Sequence, residues 1–323
     1  MKTTFLPWID KQREKINWET LSLNINAISI LEDNLDKIHW NRLSHNRNAV
    51  SLLEKNLDKI NWDNLSRNVN AISILENNLD ELDSWDSWGF LVQNINAVSI
   101  LENYLDDFCP MTWWLLSLNA NAIPILEKNL DKLSWLYLSL NVNAISILEQ
   151  NLGKVSWYHL SKNINAIPIL EKNLHKIHWT KLSGNINALP LLENNLNKID
   201  WQSLSSNINA IPILEKHLNK VDWRSLSSNS NAIPILEKNL DKVDWDELSN
   251  NSMAIHLLEQ NQDKINWRYI SCNPNIFCCD YDYYKKRMDI HREELMKKVF
   301  HPRRLASYLD IGYDLFDMID MID

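Results

Sequence analysis

Eleven glutamates return at one fixed place in this 323-residue chain: Glu32, Glu54, Glu76, Glu102, Glu127, Glu149, Glu171, Glu193, Glu215, Glu237 and Glu259. Carboxylates in register are the material of a divalent-cation site or of general acid–base catalysis. An active site, however, is assembled once, and an acid repeated this often reads as scaffold. Each is expected to accept a hydrogen bond from a serine or asparagine of a neighbouring unit. A lysine ridge runs alongside: Lys37, Lys59, Lys132, Lys154, Lys176, Lys198, Lys220, Lys242 and Lys264. One base per repeat is how some helical-repeat proteins read RNA. Against that, most of these lysines follow an acid or polar residue (Asp36, Asp58, Asp131, Asp241, Asp263), and lysine near a helix C-terminus offsets the helix dipole. Cys272, Cys278 and Cys279, with His291 and His301 downstream, lack the two-to-four-residue pairing of zinc ligands and read as reduced, small apolar side chains. Phosphate-cradling loops need clustered glycines, and Gly89, Gly153, Gly184 and Gly312 are scattered. No HExxH or nucleophile elbow is present. These residues predict no catalytic, cofactor or metal site.

The acids and lysines are carried by a repeat. The same phrase starts at Trp18, Trp40, Trp62, Trp88, Trp113, Trp135, Trp157, Trp179, Trp201, Trp223, Trp245 and Trp267, which marks a solenoid. The period is 22 residues except after Trp62 and Trp88, where four and three residues are inserted around 83–87 and 108–112. A longer loop and a change of superhelical direction are expected there. Residues 1–17 hold a trailing half repeat, read as an N-terminal cap, and residues 18–279 are the solenoid. Residues 280–323 read as a helical cap, broken at Pro302 and Gly312, with an acidic tail.

Each unit is predicted to be a helical hairpin. In the copy from Trp201, Asp200 caps a first short helix, Asn207 ends it in the left-handed conformation, and Asn209 caps a second helix with Pro212 at its third position. Ile211, Ile213, Leu214 and Leu218 line that helix, and Trp201 with Leu204 forms the apolar side of the first. A core tryptophan column predicts a cost of roughly 3–5 kcal/mol for Trp201→Ala. The corner asparagines are expected to satisfy backbone groups and to stack as a ladder. The fold class is all-α, an α-solenoid of about twelve hairpins, expected as a curved rod on the order of 100 Å long.

Composition bounds the rest. Forty-five per cent hydrophobic and 23% charged residues suit a folded domain, and a net charge of −9 argues against a general nucleic-acid or anionic-membrane binder. No apolar run approaches the roughly 20 residues of a membrane helix, and the N-terminus does not read as a secretory signal. Four cysteines in this length suggest a reducing, cytoplasmic setting.

Variation is confined to the second, third and sixth positions of each unit, on the solvent side of the first helix. Such a stripe on a repeat scaffold is where partners bind. The candidate partner-binding residues are Trp114, Leu115, Tyr137, Tyr158, His159, Lys181, Arg224, Arg268 and Tyr269. The aromatic run from Trp114 through Tyr137 to Tyr158 is the expected hot spot. The expected function is a non-enzymatic scaffold for an unidentified protein partner, with an architectural role as the alternative and RNA binding behind it.

The unit WxxLSxNxNAIxILExNLDKIx resembles a tandem repeat of uncharacterised proteins of giant DNA viruses of the mimivirus and marseillevirus kind. The Asn-Pro-Asn corner usual there survives at Asn273-Pro274-Asn275, and residues 291–317 are similar to C-terminal caps of such proteins. The resemblance covers residues 18 to about 317, with departures at Val92, Tyr104, Asp107, Gly153 and Met253. It implies an interaction module and a host or viral partner, in the host cytoplasm or a viral factory.

Overall fold

The computed structural model describes residues 2–299, 301 and 303. They fall into two units, Phe5–Phe277 and a smaller one made of residues 2–4 with those from 278 onward. Two short strands, Thr3–Phe5 and Phe277–Cys279, pair in a two-stranded sheet. The smaller unit carries one 19-residue helix, Tyr281–Val299, exposed along most of its length, with the Tyr284 hydroxyl 2.7 Å from the Lys2 backbone N–H. The expected breaks at Pro302 and Gly312 and the acidic tail lie outside the described residues.

The large unit is the all-α solenoid, and its repeat has three short segments rather than two helices. In the copy from Trp201, the Asp200 carboxylate accepts from the Ser203 N–H at 2.8 Å and starts the helix Trp201–Ser205. The corner follows: Asn207 Oδ1 accepts from the Asn209 N–H at 3.0 Å, an Asx turn that reverses the chain. With the turn closed by that side chain, no left-handed residue is required. The equivalent Asn229 is extended, at φ −78° and ψ 112°, so the expected left-handed corner is not used. Nor does Asn209 cap the second helix: that helix, Ile211–Lys216, starts from Ala210, with Pro212 in its first turn, where a missing N–H costs nothing. A 3₁₀ turn, Leu196–Lys198 in the preceding copy, carries the chain back.

The fully buried columns are Leu204, Ala210 and Leu214 and their equivalents, with Ile213 beside them. Trp113 apart, which is buried, the repeat tryptophans pack against the edge of this core. Most are only half-buried, and in nine of the twelve repeats a lysine from the end of the same repeat lies over the ring, as Lys220 does over Trp201 at 5.0 Å. The lysine ridge is therefore half of a row of cation–π stacks. Trp201→Ala is expected to cost about 2 kcal/mol in urea unfolding, below the roughly 3–5 kcal/mol of a fully buried tryptophan. The glutamate column, expected to bond to a neighbouring unit, is exposed throughout. Among the described residues only Glu237 has a side-chain hydrogen bond, to His256 at 2.7 Å.

Successive repeats are joined through the asparagines and serines. Asn46 Nδ2 donates to the Ser22 and Asn24 carbonyls of the preceding unit, each at 3.0 Å, and the pattern recurs up to Asn273. The serine of each regular unit, such as Ser22, donates to the Trp18 carbonyl and accepts the next unit's His39 N–H at 3.0 Å. The asparagine ladder expected from the sequence is thus present. It passes both inserts in register, Asn94 bonding to Ser66 and Asn68 and Asn119 to Val92 and Asn94. The inserts do not make longer loops. They lengthen the first helices backwards, to Trp85–Gln93 and Pro110–Leu116.

The stack is not an open rod. Asn24, in the first unit, donates to the carbonyls of Ser271 and Asn273 in the last, at 3.0 and 2.9 Å, in the same register as every other step. Asn26 reaches the Pro274 carbonyl at 2.8 Å, and the Asn17 N–H meets Ser271 Oγ at 3.0 Å. The last unit has its first helix, Trp267–Ile270, but no second helix. The N-terminal half repeat supplies it: Pro7–Asp10 and the 3₁₀ turn Arg13–Lys15 occupy the missing place, Trp8 and Ile9 are buried, and Lys15 lies 5.3 Å over Trp267. The half repeat covers the end of the stack by completing it. Phe5–Phe277 is a closed ring of twelve repeats, the twelfth assembled from both termini of the unit.

Closure decides which face points inward. In a ring, parts near the axis crowd together and parts at the outside spread. First helices pack directly on first helices, as Trp62–Ser66 does on Trp85–Gln93, whereas second helices keep apart from one another. The first helices therefore line the inner circumference. Twelve of them spaced ~8–10 Å apart, each with a side-chain-covered radius of ~5–6 Å, leave an opening of roughly 20–27 Å.

Candidate functional site

The variable second, third and sixth positions of the repeat fall on this inner circumference. Their character changes around it. From the fourth to the seventh repeat most are apolar or aromatic, among them Phe90, Trp114, Leu115, Leu136, Tyr137 and Tyr158. Trp114 is 45% exposed, Leu136 44% and Tyr158 42%, on three consecutive units. The first helices behind them are short and run into the buried asparagine corner, and those that carry Phe90 and Tyr137 are also capped, by Ser84 and Ser134. The side chains are thus presented by backbone that has little freedom to retreat. At the fourth repeat the approach is close: a Cβ on Gly89 would stand 3.4 Å from Leu115 Cδ1.

The arc ends in a polar cluster. The Tyr158 ring packs edge-on against His159 and His178, with centroids 5.0 and 4.8 Å away, and Lys181 Nζ lies 5.0 Å from its centre. A hydrogen bond from Lys181, aided by its charge, holds the Tyr158 phenol below its ordinary range. Partial burial, then the charges of Lys162 and Lys181, lower the His159 pKa. His159 Nδ1 is 2.8 Å from Ser156 Oγ. A tyrosine–lysine pair of this kind can exchange protons, but here it sits on an open face.

Elsewhere on the circumference the variable residues bind one another. Arg224 reaches Glu247 of the next repeat at 3.1 Å, and this partner raises its pKa. Arg42 pairs with Glu19 at 3.0 Å, holding that carboxylate below its usual range. Exposed pairs of this sort contribute little to stability, because solvent screens them.

Of the residues singled out in the sequence, Trp114, Leu115, Tyr137, Tyr158, His159 and Lys181 come together as one arc. Arg224 stands apart on the tenth repeat, already paired. Arg268 and Tyr269 are on the twelfth, where closure puts them beside the first: the Arg268 carbonyl accepts from Thr20 Oγ1 at 2.9 Å. Cys272 belongs to the same seam, its thiol pKa raised by burial. Among the described residues no three His, Cys, Asp or Glu side chains come together to hold a metal ion. No helix among them is long and apolar enough to cross a membrane.

The sequence reading passed over a cleft of about 370 Å³ at the two inserts, walled by Trp85, Trp88, Tyr104 and Phe108 with Asp83 and Asp107 at its edge. The available signal was that Tyr104 and Asp107 break the repeat where asparagine and lysine are usual.

No family model matches this sequence, and neither a curated protein nor a solved structure matches it.

Proposed function

We propose that the ring is a non-enzymatic interaction scaffold that holds a segment of another protein against the aromatic arc of its inner circumference. The observation that supports this is the pairing of a near-invariant scaffold with exposed Trp114, Leu136 and Tyr158 on consecutive repeats. Large aromatic side chains on a rigid frame bury much area at little entropic cost, which is the character of interface hot spots. The lysine ridge lends the RNA reading little support, since its charges lie over tryptophans. If the resemblance to giant-virus repeat proteins holds, the partner is a host or viral protein of the infected cytoplasm or viral factory.

The test places a photo-crosslinking residue at Tyr137, and in a control at the outward Glu149, and identifies what each captures from cells expressing the protein. A protein captured from position 137 alone, and lost when Trp114 and Tyr158 are changed to Ser, supports the reading. The double variant should bind at least tenfold more weakly with unchanged circular dichroism. Equal capture from both positions, or binding that survives the double variant, counts against it. A second reading, an architectural part of a larger assembly, draws on the closure itself, which yields a unit of fixed size. Under that reading the double variant assembles normally.

A further inference from the structure

Ten of the twelve repeat-initiating tryptophans have a lysine ammonium over the ring, at 4.5–5.3 Å from its centre. Among the described residues none lies over Trp62 or Trp88, and the residues at the lysine position of their repeats are Glu81 and Asp107. At Trp88 this exchange coincides with the cleft described above. The insert before Trp88 brings Trp85, which is 71% exposed, to its wall, and Asp83 and Asp107 supply carboxylates. Among the described residues no cationic side chain lines the cleft.

The Trp88 ring is fixed: its Nε1–H donates to the Leu82 carbonyl at 2.8 Å, and Tyr104 packs edge-on with centroids 5.1 Å apart. Tyr104 does not use up the stacking site. In the ninth repeat His217 occupies the same position, edge-on to Trp201 at 5.2 Å, and Trp201 still carries Lys220 at 5.0 Å. The fourth repeat therefore has the frame of a Trp–ammonium stack with the ammonium removed and a carboxylate put in its place. Aromatic walls with a nearby anion attract an alkylammonium group through the ring quadrupole and through charge.

We infer that this cleft binds the lysine side chain of another polypeptide, which takes the place over Trp88 that each regular repeat fills from within. The two carboxylates set the sign of the ligand, and the aromatic walls suit the methylene stem of a lysine as well as its head. The site is separate from the aromatic arc of the inner circumference, and either can fail without the other.

The full chain is titrated with a capped tripeptide, Gly-Lys-Gly, and with its norleucine counterpart, following the indole N–H resonances of Trp85 and Trp88. The lysine peptide should shift both at millimolar concentration, and the norleucine peptide should bind at least tenfold more weakly. Asp107→Lys restores the internal stack, so this variant should keep or raise the thermal midpoint while abolishing the response. Should it fold poorly, the isosteric double variant Asp83→Asn, Asp107→Asn is expected to weaken lysine binding about tenfold and leave norleucine unaffected. Equal binding of the two peptides, or an undiminished response in the charge variants, overturns the inference.

Discussion

A chain lacking residues 2–16 should lose far more stability than fifteen terminal residues ordinarily contribute. Phe5, Trp8, Ile9 and Ile16 are all buried in the seam. At about 1.5–3 kcal/mol for each fully buried apolar side chain, their loss removes roughly 6–12 kcal/mol of gross burial. It also bares the Leu258 and Ile270 columns and takes Lys15 off Trp267. The expected result in urea unfolding followed by circular dichroism is a drop of several kcal/mol. A peptide of residues 2–17 added in trans should restore part of it in a concentration-dependent way, by mass action. A circular permutant that begins at Asn17 and carries residues 5–16 after Asn275 makes the split repeat continuous and should recover most of the loss, short of what buried Ile276 contributes. A truncated chain within about 1 kcal/mol of the intact one would mean that the seam does not close in solution.

The second large effect is expected at the asparagine ladder. Asn163 is buried, donates to the Ser139 and Asn141 carbonyls at 3.1 and 2.9 Å, and accepts from the Asn165 N–H at 3.0 Å. Asn163→Ala strips three backbone groups of their partner in one step. At about 1–3 kcal/mol for each buried group left unpaired, the cost should reach about 3 kcal/mol or more. Asn165→Ala is the internal control: its side chain is exposed and makes one bond, to the Val142 carbonyl at 2.9 Å, worth about 1 kcal/mol. The sixth and seventh repeats, which this rung joins, both have the regular 22-residue length, so the difference between the variants isolates the buried role. Equal costs would show that the first asparagine is no more structural than the second. Met253 indicates which one tolerates loss, since it stands at the second position in the eleventh repeat.

Much of this fold was legible because a repeat states the same local physics many times. Asp200 as a cap and Asn207 as a ladder rung follow from side-chain chemistry within a few residues of the backbone they serve. The tryptophan column misled because an apolar side chain at a helix start was taken for core, whereas its ring serves as a floor for a lysine nineteen positions on. The glutamates misled through their regularity: they are exposed, and among the described residues only Glu237 holds a neighbour, His256. Closure could not be read from one unit, because curvature is the sum of small rotations that no local spacing encodes. Its trace was nonetheless present: the N-terminus holds only the second half of a repeat and the last copy only the first, so the two fragments add up to one. The arc Trp114–Tyr137–Tyr158 could be named from the sequence by subtracting the scaffold. Its place inside a ring could not.

The split twelfth repeat also sets the order in which the chain can fold. Residues 7–15 leave the ribosome well before their partner helix Trp267–Ile270, which follows some 250 residues later. At about 5–20 residues per second, that is a wait on the order of 10–50 s. During it the nascent chain presents an unfinished stack with an apolar leading edge. Contacts between the two ends carry the largest loop-closure entropy in the unit and are the last to form. The latch that fastens the ring is thus the step that the order of synthesis delays most.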